Sequence, residues 1–204
     1  MSNSVKNILI VGVGGQGTLL ASKIMGKCLV EAGYDVKVSE VHGMSQRGGS
    51  VVTYVRYGDK VWSSVIEKGE ADIIISFEQL EAARWLPYLK ADGVLISNTQ
   101  QIDPMPVIMG QTEYPEDVLE RIRRLGVNVI AVDADELAVQ AGTIKAANTV
   151  LLGAAAHFTD IDEAEWVEAI RTTVPPKTVD VNLKAFKLGY SCFGANAEGA
   201  EGRI

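Results

Sequence analysis

The sequence predicts a doubly wound α/β fold with a mostly parallel, Rossmann-like sheet, an inserted β-hairpin and a helical C-terminal part. Short runs rich in Ile and Val alternate with stretches of helical periodicity, a glycine-rich turn follows the first run, and only helical patterns follow residue 135. The 204 residues, 47% of them hydrophobic, suffice for one sizeable core. We therefore assign residues 1–193 to a single domain and expect residues 194–204, which are small, polar and glycine-rich, to form a disordered tail.

The chain begins with the pattern of a strand, a glycine turn and a helix. Residues 7–14 are apolar on both faces of a strand, which is typical of a parallel strand covered by helices on either side. Residues 16–32 repeat apolar side chains at helical spacing, and Gly33 supplies the stop signal. This order predicts the first strand and crossover helix of a parallel sheet.

A second strand and a hairpin are predicted next. Residues 34–41 read as a strand, and residues 50–58 alternate between two faces. Because Gly58-Asp59 is a favourable turn sequence, we expect residues 59–65 to pair with residues 50–58 as the inserted hairpin.

The remaining strands and helices follow in alternation. The predicted strands are 71–77, 93–98 and 127–134. The predicted helices are 78–89, 115–126, 135–141, 144–158, 164–173 and 178–190. Small residues crowd the helix around "AANTVLLGAAA" (146–156), which indicates either a docking face or a tightly packed internal helix. Its Asn148 needs a polar partner.

Charge and cysteine content argue against several classes of function. The net charge of -7 disfavours nucleic acid binding through phosphate contacts. Cys28 and Cys192 lie far apart without a CxxC pattern, so we expect neither an iron–sulfur cluster nor a metal site in this chain. The first residues lead directly into an apolar strand, without a leader pattern, and no apolar run is long enough to cross a membrane. We therefore expect a cytoplasmic protein that does not bind membranes.

The turn after the first strand matches G-x-G-x-x-G at residues 12–17. In this context Gly12 permits a tight turn, Gly14 lets the backbone approach a phosphate, and Gly17 allows close helix packing. Glu40, at the end of the second strand, stands where a carboxylate that binds ribose would be. NAD binding is the first hypothesis, and a tight turn that binds nothing is the alternative.

A second motif follows the second strand and weakens the NAD hypothesis. The loop from His42 to Arg47 is bulky enough to crowd the adenosine side of a dinucleotide cleft, and no residue set for hydride transfer is recognisable. An arginine flanked by glycines is more than chain reversal requires. We therefore expect this loop to have a function of its own.

Together, "GVGGQG" and "EVHGMSQRGGSV" resemble the gamma-type domain of 2-oxoacid:ferredoxin oxidoreductases, and the second motif looks most like the indolepyruvate type. The likeness continues to about Phe193 through "ADIIISFEQLEAARWLPYL", "NTQQI" and "AANTVLLGAAA". It implies a subunit, inactive alone, of an enzyme that converts arylpyruvates to acyl-CoA and passes electrons to ferredoxin. Thiamine diphosphate, magnesium and iron–sulfur clusters would belong to the larger alpha subunit, and coenzyme A would bind at a shared site.

The resemblance also implies a set of site residues. Arg47 would reach a CoA phosphate or the substrate carboxylate, or form an intersubunit salt bridge. His42 would donate to an anion, shuttle a proton or serve as a structural hydrogen-bonding residue. Glu40 would contact ribose or pantetheine, or cap local backbone donors. The full candidate set for binding is Gly12, Gly14, Gly15, Gln16, Gly17, Glu40, His42, Met44, Arg47, Gly48 and Gly49.

Three alternatives to the indolepyruvate type stay open. The chain could be the gamma subunit of an enzyme for pyruvate or branched-chain 2-oxoacids, since no residue lining a substrate pocket can be assigned from sequence. It could instead be an autonomous NAD-dependent dehydrogenase, or an assembly subunit that contacts no ligand. Self-association of the isolated chain is also compatible with the sequence.

Overall fold

The computed structural model describes residues 5–42 and 49–197, and a six-stranded sheet lies at its centre. The strand order is β2-β3-β1-β4-β5-β6. The strands are β1 (Lys6–Val13), β2 (Asp35–His42), β3 (Ser50–Gly58), β4 (Ala71–Ser76), β5 (Leu89–Asn98) and β6 (Asn128–Val132). Strands β1, β4, β5 and β6 are mutually parallel, and β3 runs antiparallel to both of its neighbours. The mostly parallel sheet is confirmed.

Strand β3 does form a hairpin, but the prediction that residues 59–65 are its other strand is wrong. Strand β3 pairs with β2, from Asp35 opposite Gly58 to His42 opposite Val51, and pairs on its other edge with β1. Both edges of β3 are therefore occupied, and no edge is left for residues 59–65. These residues form no strand. The guanidinium of Arg56 holds them instead, donating to the carbonyl of Val65 at 2.8 Å.

Helices cover both faces of the sheet. The described residues contain α1 (Thr18–Glu31), α2 (Gln79–Trp85), α3 (Met105–Ile108), α4 (Val118–Arg124), α5 (Ala134–Ala141), α6 (Ala147–Ala156), α7 (Glu163–Thr173) and α8 (Val179–Ala197). Because side chains alternate along β1, Ile8 and Ile10 join the core with α1 and α5 to α8, whereas Leu9 and Val11 join the core with α2 and α4. The sheet thus separates two hydrophobic cores.

Several helix ends differ from their predicted positions. The helix predicted to run to residue 89 ends at Trp85, where a 3-10 turn containing Pro87 begins. A further 3-10 turn, Ile144–Ala146, precedes α6. Helix α8 continues to Ala197, four residues into the stretch expected to be a tail, and residues 198–204 lie outside the described residues. Within residues 5–42 and 49–197, no helix has the length and apolar character that crossing a membrane requires.

Helices α6 and α8 are in backbone contact through two glycines. A Cβ added to Gly153 of α6 would lie 2.1 Å from the carbonyl oxygen of Phe186, and one added to Gly189 of α8 would lie 1.9 Å from the carbonyl oxygen of Val150. Every residue of α6 from Asn148 to its end is buried. The small residues of this helix therefore serve internal packing, as one of the two sequence interpretations expected.

We predict that Gly153→Ala lowers the free energy of unfolding by at least about 2 kcal/mol, because the new methyl group forces two helix backbones apart. Gly26→Ala in α1 is the matched control: its Cβ would meet only the Val38 side chain at 3.6 Å. This control should be neutral or stabilising by up to about 1 kcal/mol, since alanine has the higher helix propensity. Urea unfolding of both variants measures the difference, and equal stability would contradict the packing interpretation.

Candidate functional site

A cavity of about 440 Å³ lies beside the turn that follows β1. Helix α1, after β1, packs on one face of the sheet, and α2, after β4, packs on the other. The carboxyl ends of β1 and β4 therefore border a topological switch point, where open α/β sheets bind ligands. The cavity is lined by Gly15, Gln16, Gly17, Leu20, Phe77, Asn98, Gln100, Ile102, Asp135, Ile144, Lys145, Ala147 and Asn148. A larger depression, of about 570 Å³, contains none of the predicted site residues.

The glycine turn is tightly packed. A Cβ at Gly12 would lie 2.9 Å from the side-chain oxygen of Gln16, so only glycine leaves room for that side chain. Gly17 caps α1 in a left-handed conformation, with φ of 87°. The N–H of Gly14, predicted to approach a phosphate, donates to the carbonyl of Gly49 at 2.9 Å. The Gly14 donor is therefore used to hold the residue before β3.

Gln16 connects the ends of neighbouring strands. Its Oε1 accepts the N–H of Val13 at 2.7 Å. Its Nε2 donates to the carbonyl of Phe77 at 2.9 Å and to Oε1 of Gln100 at 2.6 Å. One carboxamide thus links the end of β1 to residues just after β4 and β5. Gln16 is one of the predicted binding residues, whereas the structure shows its side chain bonded to its own protein.

Two asparagines fix the opposite side of the cavity. The buried Asn148, at the start of α6, donates from Nδ2 to the carbonyl of Gly17 at 3.3 Å. The carbonyl of Gly17 is thus the polar partner that the sequence predicted for Asn148. Asn98, at the end of β5, accepts the N–H of Ala134 at 3.0 Å and donates to Asp135 at 3.3 Å. Sequence reasoning missed Asn98, Gln100 and Asp135 as site residues, although polar residues directly after a buried strand were a usable signal.

Glu40 is separated from the glycine turn. It lies on β2, and β3 intervenes between β2 and β1, so its backbone stands two strand spacings, roughly 10 Å, from β1. Its Oε2 accepts the hydroxyl of Thr53 at 3.3 Å. A carboxylate that binds ribose requires the second strand to lie beside the first. Glu40 therefore does not stand where a dinucleotide fold would place a ribose-binding carboxylate, and its contact with ribose or pantetheine stays a prediction.

The last glycine of the second sequence motif contacts the same turn. His42 closes β2 opposite Val51, and Gly49 contacts Gly14 through the hydrogen bond described above. Met44, Arg47 and Gly48 lie outside the described residues. The two motifs are thus brought together at the carboxyl end of β1.

A buried carboxylate holds the chain that follows β5. Glu78 is 1% exposed, and its Oε1 accepts the hydroxyl of Tyr114 and the N–H of Ile102, the latter at 3.2 Å. Its Oε2 accepts the N–H of Glu81 at 2.9 Å. Burial, and then the bonded Glu78 carboxylate, raise the pKa of Tyr114 above that of an ordinary tyrosine. Glu78 therefore fixes Ile102, which lines the cavity.

Neither metal ligation nor thiol chemistry is apparent at this site. In the parts of the chain that the structure describes, no three His, Cys, Asp or Glu side chains are grouped to hold a metal ion. Cys28 is buried in the core, and burial raises its pKa to about 12. Cys192 lies on α8. What the cavity offers a ligand is hydrogen bonding, charge and apolar contact.

Comparison with known proteins identifies the family. The sequence model described as pyruvate ferredoxin/flavodoxin oxidoreductase matches residues 7–192. The chain belongs to this family. Indolepyruvate oxidoreductase subunit IorB of Pyrococcus horikoshii is 48% identical over 190 residues, which cover 90% of this chain and 93% of the relative. The pyruvate/ketoisovalerate oxidoreductases common subunit gamma of Pyrococcus abyssi is 29% identical, over 88% of this chain and 92% of that one.

The fold of this oxidoreductase family member also occurs within a larger chain. A solved 2-oxoglutarate:ferredoxin oxidoreductase from Magnetococcus marinus, with 2-oxoglutarate, coenzyme A and succinyl-CoA bound, superposes with a TM-score of 0.73 at 20% identity. The match covers 94% of this chain and 31% of the Magnetococcus chain. At this identity the likeness shows the fold.

We predict that Gln16→Leu lowers the free energy of unfolding of this family member by about 2–4 kcal/mol. The leucine fills similar space but leaves the buried Val13 N–H and Phe77 carbonyl without partners. Gln111→Leu is the control, because Gln111 is exposed. Chemical denaturation of the two variants tests the expectation, and a loss below 0.5 kcal/mol for Gln16→Leu would show that the linkage has little energetic role.

We predict that Tyr114→Phe costs about 1 kcal/mol at neutral pH and reduces the loss of stability in alkali. The folded-state pKa of Tyr114 is raised, so its stabilising contribution is present below about pH 10 and is lost as the tyrosine of the unfolded chain ionises above that pH. The free energy of unfolding, measured from pH 8 to 11, should fall less steeply with pH in the variant than in the parent protein. Parallel curves for the two proteins would contradict the raised pKa.

Proposed function

We propose that this chain is the subunit of an indolepyruvate-type 2-oxoacid:ferredoxin oxidoreductase that does not bind thiamine. The reaction would take an arylpyruvate, coenzyme A and oxidised ferredoxin to the aryl-acetyl-CoA, carbon dioxide and reduced ferredoxin. One observation carries the proposal. Over about 90% of its length the chain is 48% identical to an indolepyruvate oxidoreductase subunit, whereas over 88% of its length it is 29% identical to a pyruvate/ketoisovalerate gamma subunit. Residues 1–193 would act as one unit in a cytoplasmic complex.

We assign thiamine diphosphate, its magnesium ion and the iron–sulfur clusters to a partner subunit, through which ferredoxin would be reduced. The whole sequence contains two cysteines, fewer than the four thiolates that an iron–sulfur cluster ordinarily needs. Thiamine diphosphate, when bound by the partner, supplies carbanion stabilisation for decarboxylation. The present chain would position CoA and substrate and exclude water from the shared site.

The geometry supports that positioning role. Both sequence motifs meet at the carboxyl end of β1, and the cavity opens beside Gly15, Gln16 and Gly17. In the proposal Arg47, two residues before Gly49, pairs with a CoA phosphate or the substrate carboxylate, for which a guanidinium is well suited. His42 donates to the same anion, and Met44 packs against the aromatic substrate or the thioester.

Three rival functions are less well supported. An autonomous NAD-dependent dehydrogenase is disfavoured because Glu40 lies two strands from the turn and the N–H of Gly14 is used by Gly49. A subunit that only assembles the complex would leave the cavity without a role. A preference for pyruvate or branched-chain 2-oxoacids is disfavoured by the difference in identity to the two kinds of relative.

The first test is an assay of the purified chain, alone and combined with its thiamine-binding partner, for CoA-dependent reduction of a viologen dye. We expect activity only in the mixture, with indolepyruvate, phenylpyruvate or 4-hydroxyphenylpyruvate used at least 10-fold more efficiently than pyruvate or 2-oxoisovalerate. Stoichiometric NAD binding by the lone chain, together with a cofactor-loaded complex inactive on all five acids, would refute the proposal. Preference for pyruvate or 2-oxoisovalerate would refute only the substrate assignment.

We predict that Arg47→Ala raises the KM for CoA or for the 2-oxoacid at least 10-fold in the assembled complex, because it removes a charge-assisted hydrogen bond to an anion. Arg47→Lys should restore part of the loss. Arg171→Ala on α7 removes a mostly exposed arginine and is the control. If Arg47→Ala weakens only assembly of the subunits and leaves both KM values unchanged, Arg47 belongs to the interface and not to the ligand site.

A further inference from the structure

An apolar groove separates α2 from α4 on one side of the sheet. Among the α-helices of the described chain, only these two, of seven residues each, contribute to the core on that side, whereas α1 and α5 to α8 contribute to the other. The groove has a volume of about 400 Å³, and its apolar lining includes Leu80, Ala83, Leu86, Val118, Ile122 and Leu125. It shares no lining residue with the cavity beside the glycine turn.

The shape of the groove leaves room for a side chain of another molecule. Its α4 side is formed by residues at the spacing i, i+3, i+4 and i+7 of one helix face, namely Val118, Arg121, Ile122 and Leu125. Val118 and Ile122 are buried and form the floor, whereas Leu125 is 73% exposed at the rim. Ala83, on α2, offers only a methyl group. A single exposed leucine is ordinary, but this one continues an apolar floor that is itself open.

The edge of the groove is positively charged. Arg121 is the only charged residue that lines it, and Arg124 lies one helical turn farther along α4. No carboxylate of residues 5–42 or 49–197 lies within salt-bridge distance of either guanidinium. That statement includes the three carboxylates that line the adjoining depression, those of Glu113, Glu116 and Asp117. The guanidinium of Arg121 is therefore available to a carboxylate of another molecule.

Apolar surface beside an unpaired arginine suits a protein segment that presents an apolar side chain next to a carboxylate. A free apolar acid carries the same two groups, but the groove is open at Leu125, whereas pockets for small ligands bury roughly 70–90% of the ligand surface. We propose that the groove docks the thiamine-binding partner subunit. An apolar side chain of that subunit enters between α2 and α4, and a neighbouring carboxylate pairs with Arg121. The inference rests on the proposed function, which supplies the partner.

The test is calorimetric titration of the purified chain with the thiamine-binding subunit, at low and high salt, for the parent, Leu125→Ser, Arg121→Met and Arg121→Lys. Val139→Ser on α5 and Arg171→Met on α7 are matched controls, because Val139 is 60% exposed, Arg171 is mostly exposed and neither lines the groove. We expect Leu125→Ser and Arg121→Met to raise the Kd of assembly about 10-fold or more. Arg121→Lys should stay within about 3-fold of the parent, and Arg121→Met should make assembly less sensitive to salt.

Leu125 and Arg121 are exposed, so the variants should fold like the parent, which urea unfolding of each chain checks. The inference is overturned if both groove variants assemble with the Kd of the parent, or if the two controls weaken assembly as much. It is also overturned if assembly is unchanged while the variants lose self-association of the lone chain or binding of phenylacetate, since a second copy or a free acid would then be the occupant.

The activity of the parent complex separates this inference from the proposed function. In each of those cases the parent still assembles and oxidises arylpyruvates, and the proposed function stands. A parent chain that neither assembles with the thiamine-binding subunit nor supports oxidation of any 2-oxoacid would overturn the proposed function, and this inference with it.

Discussion

The hydrogen bonding of β3 along both of its edges is the constraint on which the arrangement of the site depends. Eight residue pairs join β3 to β1 and eight join it to β2, all antiparallel. Because β3 is hydrogen-bonded along both edges, it separates β2 from β1 and leaves β2 at the edge of the sheet. Glu40, on β2, therefore does not lie beside β1 as a ribose-binding carboxylate of a dinucleotide fold would. The same strand starts at Ser50, opposite Val13, and so returns the chain to the glycine turn.

Polar side chains complete the carboxyl edge of the sheet where strand pairing ends. Gln16 bonds groups of β1 and of the chain after β4, Asn98 bonds the first turn of α5, and Glu78 bonds the chain after β5. Buried polar groups are costly without partners, so these contacts are needed whether or not a ligand is bound. The cavity is consequently formed by the protein's own hydrogen bonds, before any ligand binds.

Local patterns were sufficient for much of the fold. The apolar run of β1 and the periodicity of α1 are short-range signals, and both elements occur within two residues of their predicted ends. The partner of β3 was not accessible in this way, because an alternating strand pairs equally well with either neighbour and the choice depends on contacts distant in sequence. The strand before it in sequence became its hairpin partner.

The candidate site was predictable only where it follows a motif. The glycine turn was found because its spacing reflects one local conformation, whereas Lys145 and Gln100 join the cavity from segments 84 or more residues after Gln16. Nothing in their immediate sequence marks them. Glu78 was likewise missed, since a carboxylate at the start of a helix is ordinarily exposed and its burial depends on Tyr114, 36 residues later.

The glycine contact between α6 and α8 gives the two walls of the cavity different stiffness. The α6 wall is fixed by touching backbones, because Gly153 and Gly189 leave no space for either helix to slide. The wall at Gln100 and Ile102 is held by side-chain hydrogen bonds from Gln16 and to Glu78, and not by touching backbones. Movement of the first wall would require two helix backbones to separate, whereas movement of the second would require these hydrogen bonds to break.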